Sequence, residues 1–348
     1  MKRRSFLSVC TLFLCSLLLT VSCTQSPSPS SSPSGTQSPA DSGPPIVLGY
    51  SSWPGWWPWV IAEKEGLFEK NGVNVELKWF DGYLESMKAF AAGQLDGNTQ
   101  TLNDTISFAA DSKNGQVAVL VNDNSDGNDK IIVTKDINTI QDLKGKKVAV
   151  EEGVVDDFLL TLGLEKEGMK REDVKIVPLE TGKAAAAFVA GQVDAVGAFP
   201  PFWLTALQRE GSKELFSSAD FPGAIPDLLT VSQKLIDERP EQVQALVNTW
   251  FDIRAFMEEN PEKVDEILAE RAGVSPEEFK KFNEGTRFFT IEDNLEAFTD
   301  GDNMKHMPFA AKQMSKFMVD VGFIPEGPDL TKIFNDTFVK AYAEQKKG

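Results

Sequence analysis

The sequence predicts an α/β fold built as two similar lobes on one chain. Two observations carry that expectation. From Ile46 onward, short apolar runs alternate with amphipathic stretches, the pattern of strands and helices following one another. The segment AFAAGQLD at 89–96 also returns as AFVAGQVD at 187–194, 98 residues later, each at a predicted helix end with glycine as the stop and a strand to follow. That period is too long for a solenoid and suits two related lobes.

IVLGYS (46–51) reads as the first strand, and WPWVIAEKEGLFEKNG as a helix stopping at Gly72. VNVELKWF (73–80) is the next strand, YLESMKAFAAGQ the next helix, and LDGNTQ leads into a helix near Asn103 to Ser112. VAVLVND closes this series as a strand. The second series runs from KIIVTKD (130–136) through KVAVEEG, a helix near Asp156 to Gly168, VKIVPLE, a helix over Lys183 to Ala190, and VDAVGAF. Helix-like PFWLTALQREG then leads through SADFPGAIPDLL into a helical last third, including PEQVQALVNTWFDIRAFMEEN and His306 to Val321. The expected lobes are 46–128 with 226–348, and 129–225, with the chain crossing near 124–130 and 219–228.

The first 23 residues read as an export signal. Lys2, Arg3 and Arg4 precede an apolar stretch from Phe6 to Leu19, too short to span a bilayer with ordinary flanks. The segment ends in LLLTVSC, which resembles the lipobox of bacterial lipoproteins, so Cys23 is the expected lipid anchor, with ordinary signal cleavage nearby as the alternative. Residues 24–45 are nearly all Ser, Pro, Gly, Thr and Gln, and read as a flexible tether. All three cysteines fall in the signal, so the body beyond it has no thiol for a disulfide, a metal or nucleophilic attack.

Charge and motifs exclude several functions. The net charge of −17 opposes nucleic acid and anionic membrane surfaces, whose phosphates demand Lys and Arg. The single histidine, His306, stands at a predicted helix start and reads as structural. No G-x-S-x-G elbow or phosphate-binding P-loop occurs. DNSDGNDK (123–130) superficially matches a calcium loop, but it joins two strands and lacks the closing Glu, so it reads as a polar connector. No metal, no cofactor and no enzymatic activity are expected.

Open α/β sheets bind ligands where strands end and helices begin. That rule nominates SSWPGWW (51–57), DGY (81–83), NTQTLND (98–104), EEGVVDD (151–157) and FPPFW (199–203). Four of the seven tryptophans lie within 53–59. Trp57 and Trp59, at the helix start with Pro58, are expected to pack into the lobe, whereas Trp53 and Trp56 are expected to face a ligand. Glu151, Glu152, Asp156 and Asp157 crowd another helix start, where acids serve the helix dipole or bind a ligand. An anion about 4 Å from a carboxylate meets roughly 4 kcal/mol of repulsion at an effective dielectric near 20. Carboxylates beside indole faces suit a cation instead.

GY…AEKEGLFEKNGVNVEL, the paired AFAAGQLD and AFVAGQVDAVGAFPPF, and INTIQDLKGKKVAVEEG together resemble the substrate-binding proteins of ABC importers for sulfonates, taurine, nitrate and thiamine precursors. The resemblance covers about residues 46–290. It implies a two-lobed, clamp-like periplasmic-binding-protein fold of type II, a monomer that encloses a solute and delivers it to a membrane permease driven by a cytoplasmic ATPase. Sulfonate binders commonly carry small hydroxyl residues where this chain has Glu152-Gly153-Val154, and an acid–Pro pair where it has Pro200-Pro201. WPGWWPW…WFDGY…TLNDT looks instead like the subgroup found beside urea-carboxylase-type genes, pointing to small nitrogen compounds. Guanidinium fits these residues best, being planar, cationic and rich in N–H groups. Asp104, Glu152 and Asp227 are the expected carboxylates, with Asp81 beside them; Trp53 and Trp56 supply rings, Thr101 a hydroxyl and Phe199 an apolar wall. Urea or another amide, or a sulfonate, taurine or nitrate, are the alternatives within this class, and an enzyme of the thiamine-precursor type is the alternative outside it.

Overall fold

A computed structural model describes residues 43–347; the signal, Cys23 and all but the end of the predicted tether lie outside the described residues. Eleven strands form two sheets. The first sheet holds β1 (Ile46–Tyr50), β2 (Val75–Trp79), β3 (Gly97–Thr101), β4 (Val117–Ser125), β10 (Pro226–Val231) and β11 (Thr286–Phe288). The second holds β5 (Lys130–Val133), β6 (Lys147–Val150), β7 (Lys175–Pro178), β8 (Ala195–Ala198) and β9 (Lys213–Ser217).

The two sheets share one plan. The first runs β2-β1-β3-β10-β4-β11, and the second β7-β6-β8-β5-β9. In each, the first three strands of that order are parallel, and one antiparallel strand, β10 or β5, is inserted beside them. That strand is in both cases the first after the chain crosses from the other sheet. The crossing segments lie side by side: Ser125 N donates to Ile225 O (2.9 Å), Ser218 N to Asp129 O (2.9 Å), and the Ser125 and Ser218 hydroxyls bond at 2.7 Å.

The repeated octapeptide occupies equivalent places in both sheets, between α3 (Tyr83–Ala91) and β3, and between α6 (Thr181–Val189) and β8. Gly93 and Gly191 both take φ +73°, a left-handed conformation that glycine enters without Cβ strain. Each helix then ends in a Schellman motif, with Gly93 N on Phe90 O and Gln94 N on Ala89 O, and Gly191 N on Phe188 O and Gln192 N on Ala187 O. The closing aspartates clamp the neighbouring strand: Asp96 Oδ2 accepts Val47 N (3.0 Å), and Asp194 Oδ2 accepts Lys147 N (2.9 Å).

The predicted helix from Trp57 to Gly72 is two, α1 (Trp59–Lys64) and α2 (Leu67–Lys70), because Gly66 turns left-handed at φ +69° between them. Trp57 and Trp59 are fully buried: Trp57 packs on Phe279 and Phe282, and Trp59 stacks on Phe68 and tilts against Trp250. The remaining layers of the two sheets use α4 (Leu102–Ala109), α5 (Val155–Lys166) and α7 (Phe202–Ala206), followed by a helical run from α8 (Gln233–Glu238) to α14 (Thr337–Gln345). Strands β9, β10 and β11 were absent from the sequence-based expectation; β9 (KELFS) and β11 (TRF) are short edge strands with charged residues, and β10 (PDLLTV) is an apolar run without alternation.

Candidate acidic and aromatic binding cavity

The ends of β1, β3, β4, β8 and β10 converge with the starts of α3 and α5 around a narrow cavity lined by Ser52, Trp53, Trp56, Tyr83, Thr101, Asp129, Val155, Phe199 and Asp227. It leaves about 10 Å³ for the centre of a water-sized molecule, room for roughly one water. Each of the five nominated loops supplies at least one wall residue: Ser52, Trp53 and Trp56 from the first, then Tyr83, Thr101, Val155 and Phe199. The two acids in the wall come from elsewhere, Asp129 from the segment leading into β5 and Asp227 from β10.

Strand register explains the acidic floor. Asp227 pairs across the sheet with Thr101 of β3 on one side and Asp123 of β4 on the other. The tryptophan loop folds down onto Asp123: Trp53 Nε1 donates to Asp123 Oδ1 at 2.9 Å, and a Cβ on Gly55 would sit 1.7 Å from Asp123 Oδ2. Only glycine lets the backbone come so close. Trp53, Trp56 and Tyr83 form a continuous aromatic wall, with centroids 6.2 Å and 5.2 Å apart.

Asp104 stands one residue behind this wall. Its Oδ2 accepts Thr101 Oγ1 (2.8 Å) and its Oδ1 accepts Asn103 Nδ2 (2.8 Å), while Tyr83 OH accepts the Thr101 N–H (3.0 Å). Asp104, Asp123, Asp129 and Asp227 are all buried. Three of them, Asp123, Asp129 and Asp227, each keep an Oδ2 without any hydrogen-bond partner. No basic side chain lines the cavity among the described residues. Burial pushes the carboxyls of Asp104 and Asp129 up to about 7. Asp227 is driven well up by burial and by the adjacent charge of Asp123, and burial raises the Asp123 carboxyl as well. Nowhere do three or more of these acids come close enough to hold a metal ion jointly, among the described residues.

The structure brings together Trp53, Trp56, Thr101, Phe199 and Asp227 of the expected site, with Asp104 directly behind Thr101. It does not bring in Asp81 or Glu152. Asp81 is exposed and accepts Trp79 Nε1 at 2.7 Å, a contact two residues away on its own strand end. Glu152 lies on the outer side, its side chain half exposed and paired with Arg171 at 2.8 Å; the same guanidinium also holds buried Asp157. That ion pair answers the acid crowding at the start of α5 without any ligand. Ser52, Tyr83 and Val155 lie in the nominated loops without having been singled out as site residues, whereas Asp123 and Asp129 belong to the stretch read as a polar connector. His306 takes a structural place, its Nδ1 near Thr299 Oγ1 and Glu296 O at 3.1 and 3.2 Å.

Residues 40–271 match the NMT1-like family. A chain of Brucella abortus (strain 2308), provisionally named as a binding protein, is 29% identical over 262 residues, covering 74% of this chain and 81% of that one. The taurine-binding periplasmic protein of Escherichia coli (strain K12) is 24% identical over 279 residues, covering 77% and 84%. Among solved structures, the periplasmic aliphatic sulphonate binding protein of Escherichia coli superposes with a TM-score of 0.68 at 21% identity, over 84% of this chain and 92% of that one. The periplasmic nitrate-binding protein of Synechocystis PCC 6803 gives 0.69 at 14% identity, over 86% and 88%. The architecture is therefore the α/β periplasmic-binding-protein fold, with its two sheets and their helices.

Proposed function

We propose that this chain, which belongs to the NMT1-like family, is the solute-binding component of an ABC importer, and that its solute is a small cation rich in N–H groups, guanidinium above all. It is a binding protein and not an enzyme, as its similar chains are named for binding. We read the two sheets as two lobes, 46–128 with 226–348 and 129–225, of a type II clamp that closes on the solute and presents it to a permease and its ATPase. Export by the N-terminal signal, anchoring through Cys23 and a monomeric state belong to the same reading.

One observation carries the choice of ligand: two buried aspartates of the cavity wall, Asp129 and Asp227, offer unpartnered oxygens beside indole and phenol rings, with no basic side chain in the wall among the described residues. A buried carboxylate without a partner is costly, and a planar cation supplies both the charge and the N–H donors. Its faces meet the aromatic wall. A sulfonate or nitrate placed here would face uncompensated negative charge in a site that excludes water. The cavity has room for roughly one water, so every solute larger than that, guanidinium included, requires the sheets to part to enter and the walls to adjust around it. Urea is the second reading, favoured by the buried, unpartnered Trp56 Nε1, a donor that a carbonyl oxygen could accept. Competition for a bound radiolabelled guanidinium tests both. Urea, taurine and nitrate at millimolar excess should leave the label in place; displacement by any of them reassigns the ligand.

A further inference from the structure

The helix α3 starts without a cap of its own: its first-turn N–H groups follow Gly82, and no side chain of its own segment bonds them. Its counterpart in the second sheet, α6, is capped locally, with Glu180 Oε1 accepting Gly182 N (2.8 Å) and Oε2 accepting Lys183 N (3.4 Å). The 98-residue offset of the repeated octapeptide aligns Gly82 with Glu180. The first helix therefore lacks the carboxylate that the second possesses at the same place.

The missing cap comes from the opposite sheet. Glu151, just past β6, reaches over so that its Oε1 accepts the Leu84 N–H of α3 at 2.7 Å, while its Oε2 accepts Thr181 Oγ1 of α6 at 3.1 Å. The side chain is buried, and one carboxylate thus ties the starts of both repeat helices together. A negative group at a helix start satisfies an orphan N–H and complements the helix dipole. The tie sits one residue from Tyr83, which lines the cavity and holds the Thr101 backbone.

We infer that Glu151 is a positioning residue for capture, a latch that caps α3 only when the two sheets are closed and so sets how long the solute stays. The inference rests on the reading that solute is held between the sheets, but not on which solute it is. Parting the sheets exposes the Leu84 N–H and frees the carboxylate, so each opening breaks a charge-assisted bond that α6 never has to break.

The test uses the full-length protein with E151A, and E151A combined with G82E. The second change installs at α3 the cap that α6 carries; Gly82 has extended backbone, and its Cβ would meet nothing closer than 3.4 Å. In ligand-free protein, exchange of the Leu84 amide should speed up about tenfold to a hundredfold in E151A, the range for losing a hydrogen bond to a charged group. The double variant should regain that protection, yet guanidinium should leave both variants about tenfold or more faster than it leaves wild type. Unchanged Leu84 exchange in E151A, from a wild type whose ligand-free radius of gyration is that of the closed sheets, overturns the latch whether or not guanidinium binds; where ligand-free wild type is open, release of solute from E151A no faster than from wild type overturns it. Slow release in the double variant also overturns it, by reducing Glu151 to a helix cap. Failure of wild type to bind guanidinium sinks the ligand assignment alone, because exchange in the closed ligand-free protein, or release of the solute that does bind, still decides the latch.

Discussion

Asp227 sits where a charge is hardest to keep: buried, beside Asp123, with one oxygen unpartnered. Such a group destabilises the empty protein and rewards a cation that fills the site, so one substitution should move stability and binding in opposite directions. Asp227→Asn is expected to raise the melting temperature of ligand-free protein while weakening guanidinium binding at least tenfold, from the roughly 1.5–3 kcal/mol of a charged hydrogen bond. Calorimetry and thermal melts on the same samples read both signs; loss of both stability and binding would make Asp227 a structural residue. Glu152→Gln should leave affinity within about twofold, because its exposed ion pair with Arg171 is worth little. Titration sets a further expectation. Burial pushes the carboxyls of Asp104 and Asp129 up to about 7 in the folded protein, from about 3.8 in the unfolded chain. The folded state therefore binds more protons than the unfolded one between about 4 and 7, and these groups make ligand-free stability fall as pH rises through that window. Guanidinium affinity should climb over the same window, as carboxylates facing it lose protons. The other ionisable groups bearing on them are Glu151, Asp123, Asp227, Tyr83 and Lys130. Melting curves and titrations at pH 5, 6, 7 and 8 check both slopes, and affinity that declines with pH would point to an anion.

At the scale of elements, the tryptophan loop answers why one turn carries four indoles. Trp57 and Trp59 anchor it in the core, and Trp53 lays a hydrogen bond on Asp123 while Trp56 leans on Tyr83. Gly55→Ala should lift this loop off Asp123, because the added methyl would sit 1.7 Å from Oδ2. The expected result is at least a tenfold loss of affinity with the core intact, visible as unchanged far-ultraviolet dichroism beside a weakened titration. Unaltered affinity would show that the loop does not need its contact with Asp123. Much of this was legible in the chain. Strand ends could be found from apolar runs and helix stops, and every loop chosen that way reaches the cavity. The acids were harder, because loop position alone does not say which side of a helix start faces inward: Glu152 points out to Arg171 while Val155 faces the cavity. Asp123 and Asp129 lie in DNSDGND, a stretch whose composition looks solvated. Only the pairing of β10 between β3 and β4, two strands distant in sequence from it, buries Asp123 beside Asp227. No local pattern encodes that neighbour.

Across the whole molecule, the two sheets repeat one strand order and one helix-to-strand joint, and their differences are where function concentrates. Glu180 caps its own helix, Gly82 leaves α3 to be capped by Glu151, and the acids gather where the crossing segments enter each sheet. On the proposed reading, a clamp of this kind, acidic inside and closed by its own carboxylate, captures a cation by exchanging protons for it. The most direct test is calorimetric titration with guanidinium at pH 7, at low salt and far below denaturing concentrations, in two buffers of different ionisation enthalpy. Saturable binding with net release of protons is the predicted result, with no heat of binding for taurine or nitrate. Binding of an anion with uptake of protons, or guanidinium binding with no proton exchanged, would contradict it.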